Sequence, residues 1–378
     1  FVPLERLARA TGAMPAVGGN RLHFLSTYEE IADQLVADID AAEDHVHVIF
    51  FIYRDDAVGR RVGEALMRAA RRGVVCRVLA DETGSWRMFT SLGPRMVDAG
   101  VYVQMAMPVN PLRRRLSRFD LRNHRKLVVI DGRVGYIGSW NCANAGFAKG
   151  ADWPLIDLMA RVTGPGVLQC QLMFVEDWQF ETGEVLDDEW TFPQLSREGE
   201  SIVQSLPSDP LNPMLPVRDL TVAVLYEARR RVTISTPYLI PDEVLTHALI
   251  SAVRRGVQVD VILPAASDHP YVDAAARAHA RDLIATDVNV YMYQKGFLHT
   301  KALTVDDRFG MVGSANFDIR SFRLNIEANL LVYSEENCRQ LREIQEGHIA
   351  GAERFDPYAR NWLVRIGEHY AKLLSPLM

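Results

Sequence analysis

The sequence lacks the cysteine patterns that mark disulfide scaffolds and zinc sites. Its only cysteines, Cys76, Cys142, Cys170 and Cys338, fall in no CxxC or His/Cys metal-ligand arrangement. We therefore expect neither a disulfide framework nor a metal site. Reduced thiols of this kind are typical of a cytoplasmic or cytoplasm-facing protein.

Long apolar runs and a surplus of basic residues are also missing. No apolar run reaches the roughly 18 residues that a membrane span needs, and no signal peptide is visible. Because the chain begins with Phe1 rather than Met, we expect a fragment from which a native N-terminal membrane anchor is missing. A net charge of −6 argues against a protein that holds long nucleic acid.

What the sequence does contain is one motif written twice. The first copy is His124-Arg-Lys126-Leu-Val-Val-Ile-Asp131, followed by Gly138-Ser139-Trp-Asn141. The second copy is His299-Thr-Lys301-Ala-Leu-Thr-Val-Asp306, followed by Gly313-Ser314-Ala-Asn316. One His-x-Lys-x4-Asp would be a weak signal, but two with identical internal spacing indicate a duplicated functional unit.

The segments around each motif alternate between β-favouring and helical patterns in the same order. This alternation predicts parallel strands with helical crossovers, hence an α/β fold. We expect a duplicated α/β/α sandwich whose two pseudo-twofold-related halves contain mixed, largely parallel sheets. The Pro-rich stretch from Ser205 to Pro216 suggests a division into residues 1–204, with an N-terminal extension, and residues 205–378, with a helical tail.

Two further segments each allow two interpretations. Residues 111–126 carry seven basic residues against one acid, which fits a solvated loop or a basic rim beside a phosphate site. The C-terminal tail has an apolar helical face, for which packing against the body is favoured over contact with a membrane surface. That face comprises Leu363, Ile366, Tyr370, Leu373 and Leu374.

Each motif offers an imidazole, an ammonium, a hydroxyl and a carboxamide, a set suited to phosphodiester chemistry without a metal or cofactor. One histidine would attack phosphorus and the other would exchange a proton with the leaving or attacking alcohol. The lysines and asparagines would stabilise the charge on phosphate oxygens. The predicted catalytic set therefore includes His124, Lys126, Asn141, His299, Lys301 and Asn316, with Ser139, Ser314, Arg122 and Arg125 as substrate-binding residues.

A catalytic histidine also needs a carboxylate or carbonyl to fix its tautomer. Asp131 and Asp306 lie at the far end of each predicted strand, so we assign them to bracing the following turn. Asp157 and Glu327 are better candidates, because each stands in an apolar β-like run where an acid has no packing role. They follow the histidines of their own motifs by 33 and 28 residues.

These residues resemble the phospholipase D superfamily, whose mark is two His-x-Lys-x4-Asp motifs each followed by Gly-Ser-x-Asn. Further segments are similar to the bacterial cardiolipin synthases, among them Asn316-Phe-Asp-Ile-Arg-Ser321 and the terminal Leu374-Ser-Pro-Leu377. The resemblance implies one active site between the halves, with His124 as nucleophile and His299 as acid and base. It also implies that Asp157 and Glu327 orient the histidines.

The reaction that the resemblance implies joins two phosphatidylglycerols into cardiolipin and glycerol, at the cytoplasmic face of the bacterial inner membrane. A phospholipase D that releases phosphatidic acid would use the same residues, and a superfamily nuclease is disfavoured by the net charge. The expected partners are phospholipids and a membrane surface, without nucleic acid, and an oligomer is compatible with the sequence. The choice between phosphatidylglycerol and phosphatidylethanolamine as donor stays open.

Overall fold

The chain forms two equivalent halves, each built from helices and strands in the same order. The structure is a computed structural model that describes residues 2–108, 120–359 and 361–374. The first half contains α1 (Val2–Ala10), β1 (Val17–Leu25), α2 (Tyr28–Asp40), β2 (His45–Phe50), α3 (Ala57–Arg71), β3 (Val75–Asp81), α4 (Glu82–Thr90), α5 (Leu92–Asp98), β4 (Tyr102–Ala106), β5 (Arg122–Asn123), β6 (Lys126–Ile130), β7 (Val134–Gly138), β8 (Leu155–Ile156), β9 (Met159–Thr163) and α6 (Val167–Thr182).

The second half repeats this series and ends in an additional helix. It contains β10 (Ser201–Ser208), α7 (Pro216–Glu227), β11 (Arg231–Ser235), β12 (Leu239–Ile240), α8 (Glu243–Arg254), β13 (Gln258–Pro264), α9 (Pro270–Ile284), β14 (Asn289–Tyr293), β15 (Phe297–Leu298), β16 (Ala302–Val305), β17 (Phe309–Gly313), β18 (Phe317–Asp318), α10 (Ile319–Arg323), β19 (Asn325–Val332), α11 (Glu335–Ala350), β20 (Ala352–Arg354) and α12 (Trp362–Leu374).

The strand order of the main sheet is a palindrome centred on the antiparallel pair of β1 and β10. From that centre, one half runs β1-β9-β7-β6-β2-β3-β4, and the other runs β10-β19-β17-β16-β11-β13-β14, with β20 added at its edge. Each strand therefore has its counterpart at the same distance from the centre. This order confirms the duplicated α/β fold.

Apart from the two-residue strands β5, β8, β12, β15 and β18, parallel pairing is confined to the outer strands of each half, which corrects the expectation of largely parallel sheets. β2, β3 and β4 pair in parallel, as do β11, β13 and β14. The strands between these groups, including the two motif hairpins, are antiparallel. The reason is the Asp-initiated turn after each motif, which reverses the chain directly and leaves no room for a helical crossover.

The division between the halves also differs from the sequence-based expectation. Residue 205 lies inside β10, which pairs with β1 on one side and β19 on the other. Because β10 opens the second half of the palindrome, the division precedes Ser201 rather than following residue 204. Of the prolines in this region, Pro207 lies near the end of β10, Pro210 and Pro213 lie in the following loop, and Pro216 begins α7.

Hydrophobic burial holds the helices against both faces of the sheet. β2 is buried along its whole length, because α2 and α3 cover one face of this region and α6 covers the other. Aspartates cap equivalent helices in the two halves, and at α3 the carboxylate of Asp56 accepts a hydrogen bond from the Gly59 amide at 3.0 Å. The equivalent helix α8 is capped by Asp242 in the same way.

The C-terminal helix α12 packs on α9 with its polar side rather than its apolar side. Glu368 and Ala371 are buried, and the Glu368 carboxylate lies 2.6 Å from the guanidinium of Arg281. The expected packing of the apolar face against the body is wrong, since Leu363, Ile366, Tyr370, Leu373 and Leu374 are all exposed. The helix thus turns its apolar face outward.

Candidate active site

The two motif histidines are delivered by short strands that cross from one half into the other. β5 pairs in parallel with the start of β19, so the His124 amide donates to the carbonyl of Ile326 at 2.9 Å. β15 pairs in parallel with β8, and the His299 amide donates to the carbonyl of Ile156 at 2.9 Å. Each histidine is thereby fixed against the backbone of the opposite half.

Because of this crossing, each histidine is oriented by the acid of the other half, and not by the acid that follows it in the sequence as the spacing had suggested. His124 Nδ1 lies 3.0 Å from both carboxylate oxygens of Glu327, and His299 Nδ1 lies 2.7 Å from Asp157 Oδ1. The acid that follows each histidine by about 30 residues therefore serves the other histidine. The physical reason is that each acid lies directly after the residue that binds the opposite histidine's main chain.

The serines of the two motifs hold these acids and do not line the cavity. Ser139 Oγ donates to Asp157 Oδ1 at 2.6 Å, and Ser314 Oγ donates to Glu327 Oε2 at 2.5 Å. Both hydroxyls are fully buried and also accept an amide hydrogen bond from the strand that carries the acid. This arrangement corrects the expectation that Ser139 and Ser314 contact the substrate.

Two further hydrogen-bond donors complete the carboxylate environments. Tyr28 donates to Asp157 Oδ2 at 2.7 Å, and the amide of Asn325 donates to Glu327 Oε1 at 3.1 Å. Sequence reasoning missed both residues. Nothing in the sequence around Tyr28 indicated a polar role, and the only signal for Asn325 was its place two residues before the predicted acid.

The motif lysines lie beneath the histidines. Lys126 Nζ donates to the main-chain oxygen of His124 at 2.6 Å, and Lys301 Nζ donates to that of His299 at 2.7 Å. Both side chains are buried. The ammonium groups therefore brace the turns that carry the histidines and place positive charge directly below them.

Of the two arginines assigned to substrate, one lines the cavity and one does not. Arg122 faces the cavity, and its guanidinium lies 2.9 Å from Thr83 Oγ1 and 3.6 Å from Asp81. Arg125 is instead buried against Asp177 at 2.7 Å and donates to the main chain of Glu327 at 3.2 Å. The substrate-binding role predicted for Arg125 is thus replaced by a structural one. The other predicted arginines of the basic rim, Arg113, Arg114, Arg115 and Arg118, lie outside the described residues.

The motif acids Asp131 and Asp306 are far along their strands and brace backbone. Asp131 accepts amide hydrogen bonds at 2.8–2.9 Å from the three residues 43–45 that lead into β2. Asp306 accepts three at 2.7–2.8 Å from residues 229–231, which lead into β11. Both adopt positive φ, near 52° and 54°, as tight hairpin turns require. Their geometry agrees with the predicted turn-bracing role.

Both histidines open into one cavity of about 440 Å³ at the interface of the halves. Because the carboxylates occupy Nδ1 of each ring, Nε2 is the nitrogen left for chemistry. The motif asparagines Asn141 and Asn316 also line this cavity. Among the residues that sequence reasoning missed there are Phe51, Tyr238, Asp268, His269, Asp318 and Arg320.

Burial and charge set the protonation states of the core. Burial lowers the pKa of His124 to about 4, although Glu327 opposes the shift, so the ring is neutral at pH 7. Burial would raise the pKa of Glu327, but His124, Lys126 and Ser314 more than offset this and keep it ionised. Asp157 is kept ionised in the same way by His299, Lys301 and Ser139.

The lysines predict an alkaline limit to activity. Burial lowers the pKa of Lys126 to about 8 and that of Lys301 to about 7. As the pH rises through these values the free enzyme loses positive charge, so its attraction for a phosphodiester anion weakens. We expect kcat/KM, measured in neutral detergent micelles, to fall by about tenfold per pH unit above pH 8. Because arginine keeps its charge, the fall in the residual kcat/KM of Lys301→Arg should begin at a higher pH than in wild type. A wild-type kcat/KM that stays constant from pH 6 to 9 would contradict this prediction.

Comparison with known proteins agrees with this geometry. A family profile described as "Cardiolipin synthase, PLD-like domain" matches residues 35–158 and 222–349, one segment in each half. The chain belongs to the phospholipase D-like cardiolipin synthase family. It is accordingly a phosphatidyltransferase of the phospholipase D superfamily, and phospholipids are its substrate class.

Individual members of the cardiolipin synthase family align along the whole chain. Cardiolipin synthase A of Edwardsiella ictaluri is 35% identical over 389 residues, covering 100% of this chain and 79% of that protein. Cardiolipin synthase A of Erwinia tasmaniensis is 36% identical, covering 99% of this chain and 79% of that protein. The crystal structure of phosphatidylserine synthase from Haemophilus influenzae superposes with a TM-score of 0.76 at 14% identity, covering 100% of both chains, which supports the fold.

No helix in the described ranges is long and apolar enough to cross a membrane.

Proposed function

We propose that this chain condenses two phosphatidylglycerol molecules into cardiolipin and glycerol through a phosphohistidine intermediate. The observation that carries the proposal is the crossed pair of histidines, each held at Nδ1 by a buried carboxylate and each facing the same cavity. Such a pair supplies one nucleophile and one acid–base group within reach of a single phosphorus atom.

In the first step His124 Nε2 attacks the phosphorus of one phosphatidylglycerol. The bond from phosphorus to the glycerol headgroup breaks, and the departing oxygen takes a proton from His299. Glu327 stabilises the positive charge that the His124 ring gains, and the buried ammonium groups stabilise the negative charge on phosphate. The assignment of His124 as nucleophile rests on the family resemblance, because the two histidine sites are geometrically equivalent.

In the second step a hydroxyl of the other phosphatidylglycerol attacks the phosphohistidine. His299 takes the proton of that hydroxyl, the phosphorus–nitrogen bond breaks, and His124 leaves as a neutral ring. His299 is then protonated again and ready for the next cycle. The requirement that a lipid hydroxyl outcompete water distinguishes this reaction from hydrolysis by a phospholipase D.

The deciding experiment incubates the protein with phosphatidylglycerol in mixed micelles and analyses the lipid products. Cardiolipin with an equal amount of glycerol supports the proposal. Phosphatidic acid as the only product would establish a hydrolase instead. Cleavage of oligonucleotides without any change in the lipid would establish a nuclease. His124→Ala serves as the inactive control.

We also propose that α12 rests on the membrane that supplies the substrate, the cytoplasmic face of the bacterial inner membrane. Its outward face combines aromatic and aliphatic side chains with Arg365, whereas Lys372 pairs with Asp282 of α9 and the one acid of the helix, Glu368, is buried. This composition is typical of helices that lie in a lipid interface. Ala371 of this helix belongs to the same small apolar cluster as Ile240, which lines the cavity, so a membrane bound there would lie close to the active site.

Charges placed on the apolar face of α12 should weaken membrane binding. We expect the double variant Ile366→Asp, Leu373→Asp to bind anionic phosphatidylglycerol vesicles at least tenfold more weakly, since two apolar side chains no longer enter the interface. Co-sedimentation measures this. Activity on a short-chain, water-soluble phosphatidylglycerol should stay within twofold. Phe180→Asp, which alters an exposed apolar residue of α6, is the matched control, and equal binding by both variants would rule out α12 as the contact.

A further inference from the structure

The two halves supply matching catalytic residues but different cavity walls. Apart from the motif residues and Arg122, which lies against Thr83 and Asp81, the wall from the first half is apolar and consists of Phe51, Ile52, Phe147 and Leu155. The wall from the second half carries hydrogen-bonding groups, chiefly Tyr238, Asp268 and Asp318. Its basic residues already have contacts, since His269 lies 3.7 Å from the Asp268 carboxylate and Arg320 donates to the main-chain oxygen of Asp120 at 3.0 Å. This difference breaks the pseudo-twofold symmetry at the point where substrate must bind.

Equivalent positions of the two halves can be matched through a repeated backbone pairing. In the first half Tyr53 forms a parallel bridge with Cys142, and in the second half Leu239 pairs in parallel with Phe317. Tyr53 is therefore the counterpart of Leu239, and Cys142 is the counterpart of Phe317. The residues that precede Tyr53 and Leu239 then correspond to each other, as do the residues that follow Cys142 and Phe317.

By this match, the second half has replaced two apolar residues with polar ones. Tyr238 stands where the first half has Ile52, and Asp318 stands where it has Ala143. Both replacements face the cavity. The carboxylate of Asp268 lies beside Tyr238, whose hydroxyl donates to Asp268 Oδ1 at 2.5 Å.

The two motif asparagines also leave different side-chain groups free toward the cavity, the NH2 group in Asn141 and Oδ1 in Asn316. Asn141 Oδ1 accepts the Ile52 amide at 3.3 Å, which leaves its NH2 group as the free end. Asn316 is 6% exposed, and the interaction of its side chain with the Asp318 carboxylate opposes the rise in pKa that burial causes there, which indicates that its NH2 group is directed toward that acid. Within the part of the chain that the structure describes, Asn316 Oδ1 has no hydrogen-bond donor. A buried acceptor without a partner is costly unless a ligand satisfies it.

On the basis of the proposed cardiolipin synthesis, we infer that the second-half wall is a diol subsite that binds the glycerol headgroup. The diol subsite consists of Asp268, Asn316 and Asp318, with Tyr238 positioning Asp268. Its free groups are hydrogen-bond acceptors, which match the hydroxyl donors of a vicinal diol. The glycerol headgroup of phosphatidylglycerol offers such a pair of hydroxyls, one to attack and one to be held.

The diol subsite serves both steps of the reaction. The same histidine protonates the departing glycerol and deprotonates the attacking headgroup, so both headgroups occupy one place beside it. The carboxylates of Asp268 and Asp318 also repel a phosphate anion, whereas Lys126 and Lys301 below the histidines attract it. The charge distribution thus places the phosphate over the histidines and the hydroxyls along the second-half wall.

Competition between two matched alcohols tests the subsite. Phosphatidyl-p-nitrophenol, whose leaving group carries no hydroxyl to be recognised, donates the phosphatidyl group. Equal concentrations of 1,2-propanediol and 1-propanol, which differ by one hydroxyl, compete as acceptors. The product ratio is set after the shared intermediate forms, so a general loss of activity does not change it. We expect wild type to favour the diol, and Asp268→Asn and Asp318→Asn each to reduce that preference about tenfold.

The substitutions are chosen to leave the fold intact. Asparagine still accepts the Tyr238 hydrogen bond at position 268, and it still caps α10 at position 318. Glu243→Gln, an exposed acid on α8 outside the cavity, is the matched control and should keep the wild-type ratio. Wild-type indifference to the second hydroxyl, or ratios within twofold of wild type in both variants, would overturn the diol subsite. Diol preference without cardiolipin formation from phosphatidylglycerol would overturn the proposed product and leave the subsite standing.

Discussion

Glu327→Gln should lower turnover by about 10³-fold or more while the protein stays folded. The carboxylate holds Nδ1 of His124 at 3.0 Å and carries the charge that the ring must gain when it attacks phosphorus. A carboxamide in its place favours the wrong tautomer, which in comparable histidine–carboxylate pairs costs about 10³–10⁴-fold. Glutamine has the same size as glutamate and keeps one oxygen, which can accept from Ser314 or from Asn325 but not from both, because Ser314 donates to Oε2 and Asn325 to Oε1.

Because each acid orients a different histidine, substitutions of Glu327 and of Asp157 should impair different steps of the reaction. With phosphatidyl-p-nitrophenol the leaving group departs without a proton, so only the second step needs His299 as a base. Asp157→Asn, which disturbs His299, should therefore keep the initial burst of p-nitrophenol and lose steady-state turnover. Glu327→Gln, which disturbs His124, should lose the burst as well.

Rapid-quench or stopped-flow measurement of p-nitrophenol checks this prediction. Tyr28→Phe, which removes one of the hydrogen bonds to Asp157, is the mild control and should keep turnover within tenfold of wild type. Thermal unfolding confirms that each variant is folded. The reverse pattern, with the burst lost in Asp157→Asn and kept in Glu327→Gln, would mean that Glu327 does not serve the nucleophile.

The repeat in the sequence was sufficient to predict the duplicated fold and most of the residues that the structure brings together at the candidate site. Motif spacing placed His124 and His299 in equivalent positions, and the positive-φ turns at Asp131 and Asp306 follow from residue types that tolerate this conformation. Asp157 and Glu327 stood out because an acid in an apolar strand needs a polar partner. These inferences depend only on local sequence.

The exchange of acids between the halves could not be predicted in this way. It depends on the two-residue strands β5 and β15, which leave their own half to pair with β19 and β8. No local pattern states which of two equivalent strands such a short segment will join. The buried serines show the same limit, since a hydroxyl that holds a carboxylate and one that binds phosphate look identical in sequence.

The outward-facing helix α12 shows a different limit. Apolar residues at helical spacing predict that one face of the helix is covered, but they do not indicate whether protein or lipid covers it. In α12 the buried side is set by the ion pair of Glu368 with Arg281, which a hydrophobic pattern ignores. The stripe is consequently left exposed, with Leu373 at 74%.

His299→Ala should trap the phosphatidyl group on His124. With phosphatidyl-p-nitrophenol the first step needs no general acid, so the neutral His124 ring can still attack. The second step has lost its base, and we expect turnover to fall at least 10³-fold while the intermediate accumulates. Intact-protein mass spectrometry should show one added phosphatidyl group per chain, and peptide mapping should place it on His124.

The matched variant His124→Ala should show no adduct and no burst, because the remaining motif histidine, His299, is the acid–base group. An adduct on His299 in that variant would show that the two sites can exchange roles. Near-symmetry makes this a real test: both rings are buried, both carry a carboxylate on Nδ1, and both lie above a lysine that bonds to their main chain. If His124 alone is modified, the cause must lie outside this shared set, in the polar second-half wall that holds the alcohol on one side of the phosphorus.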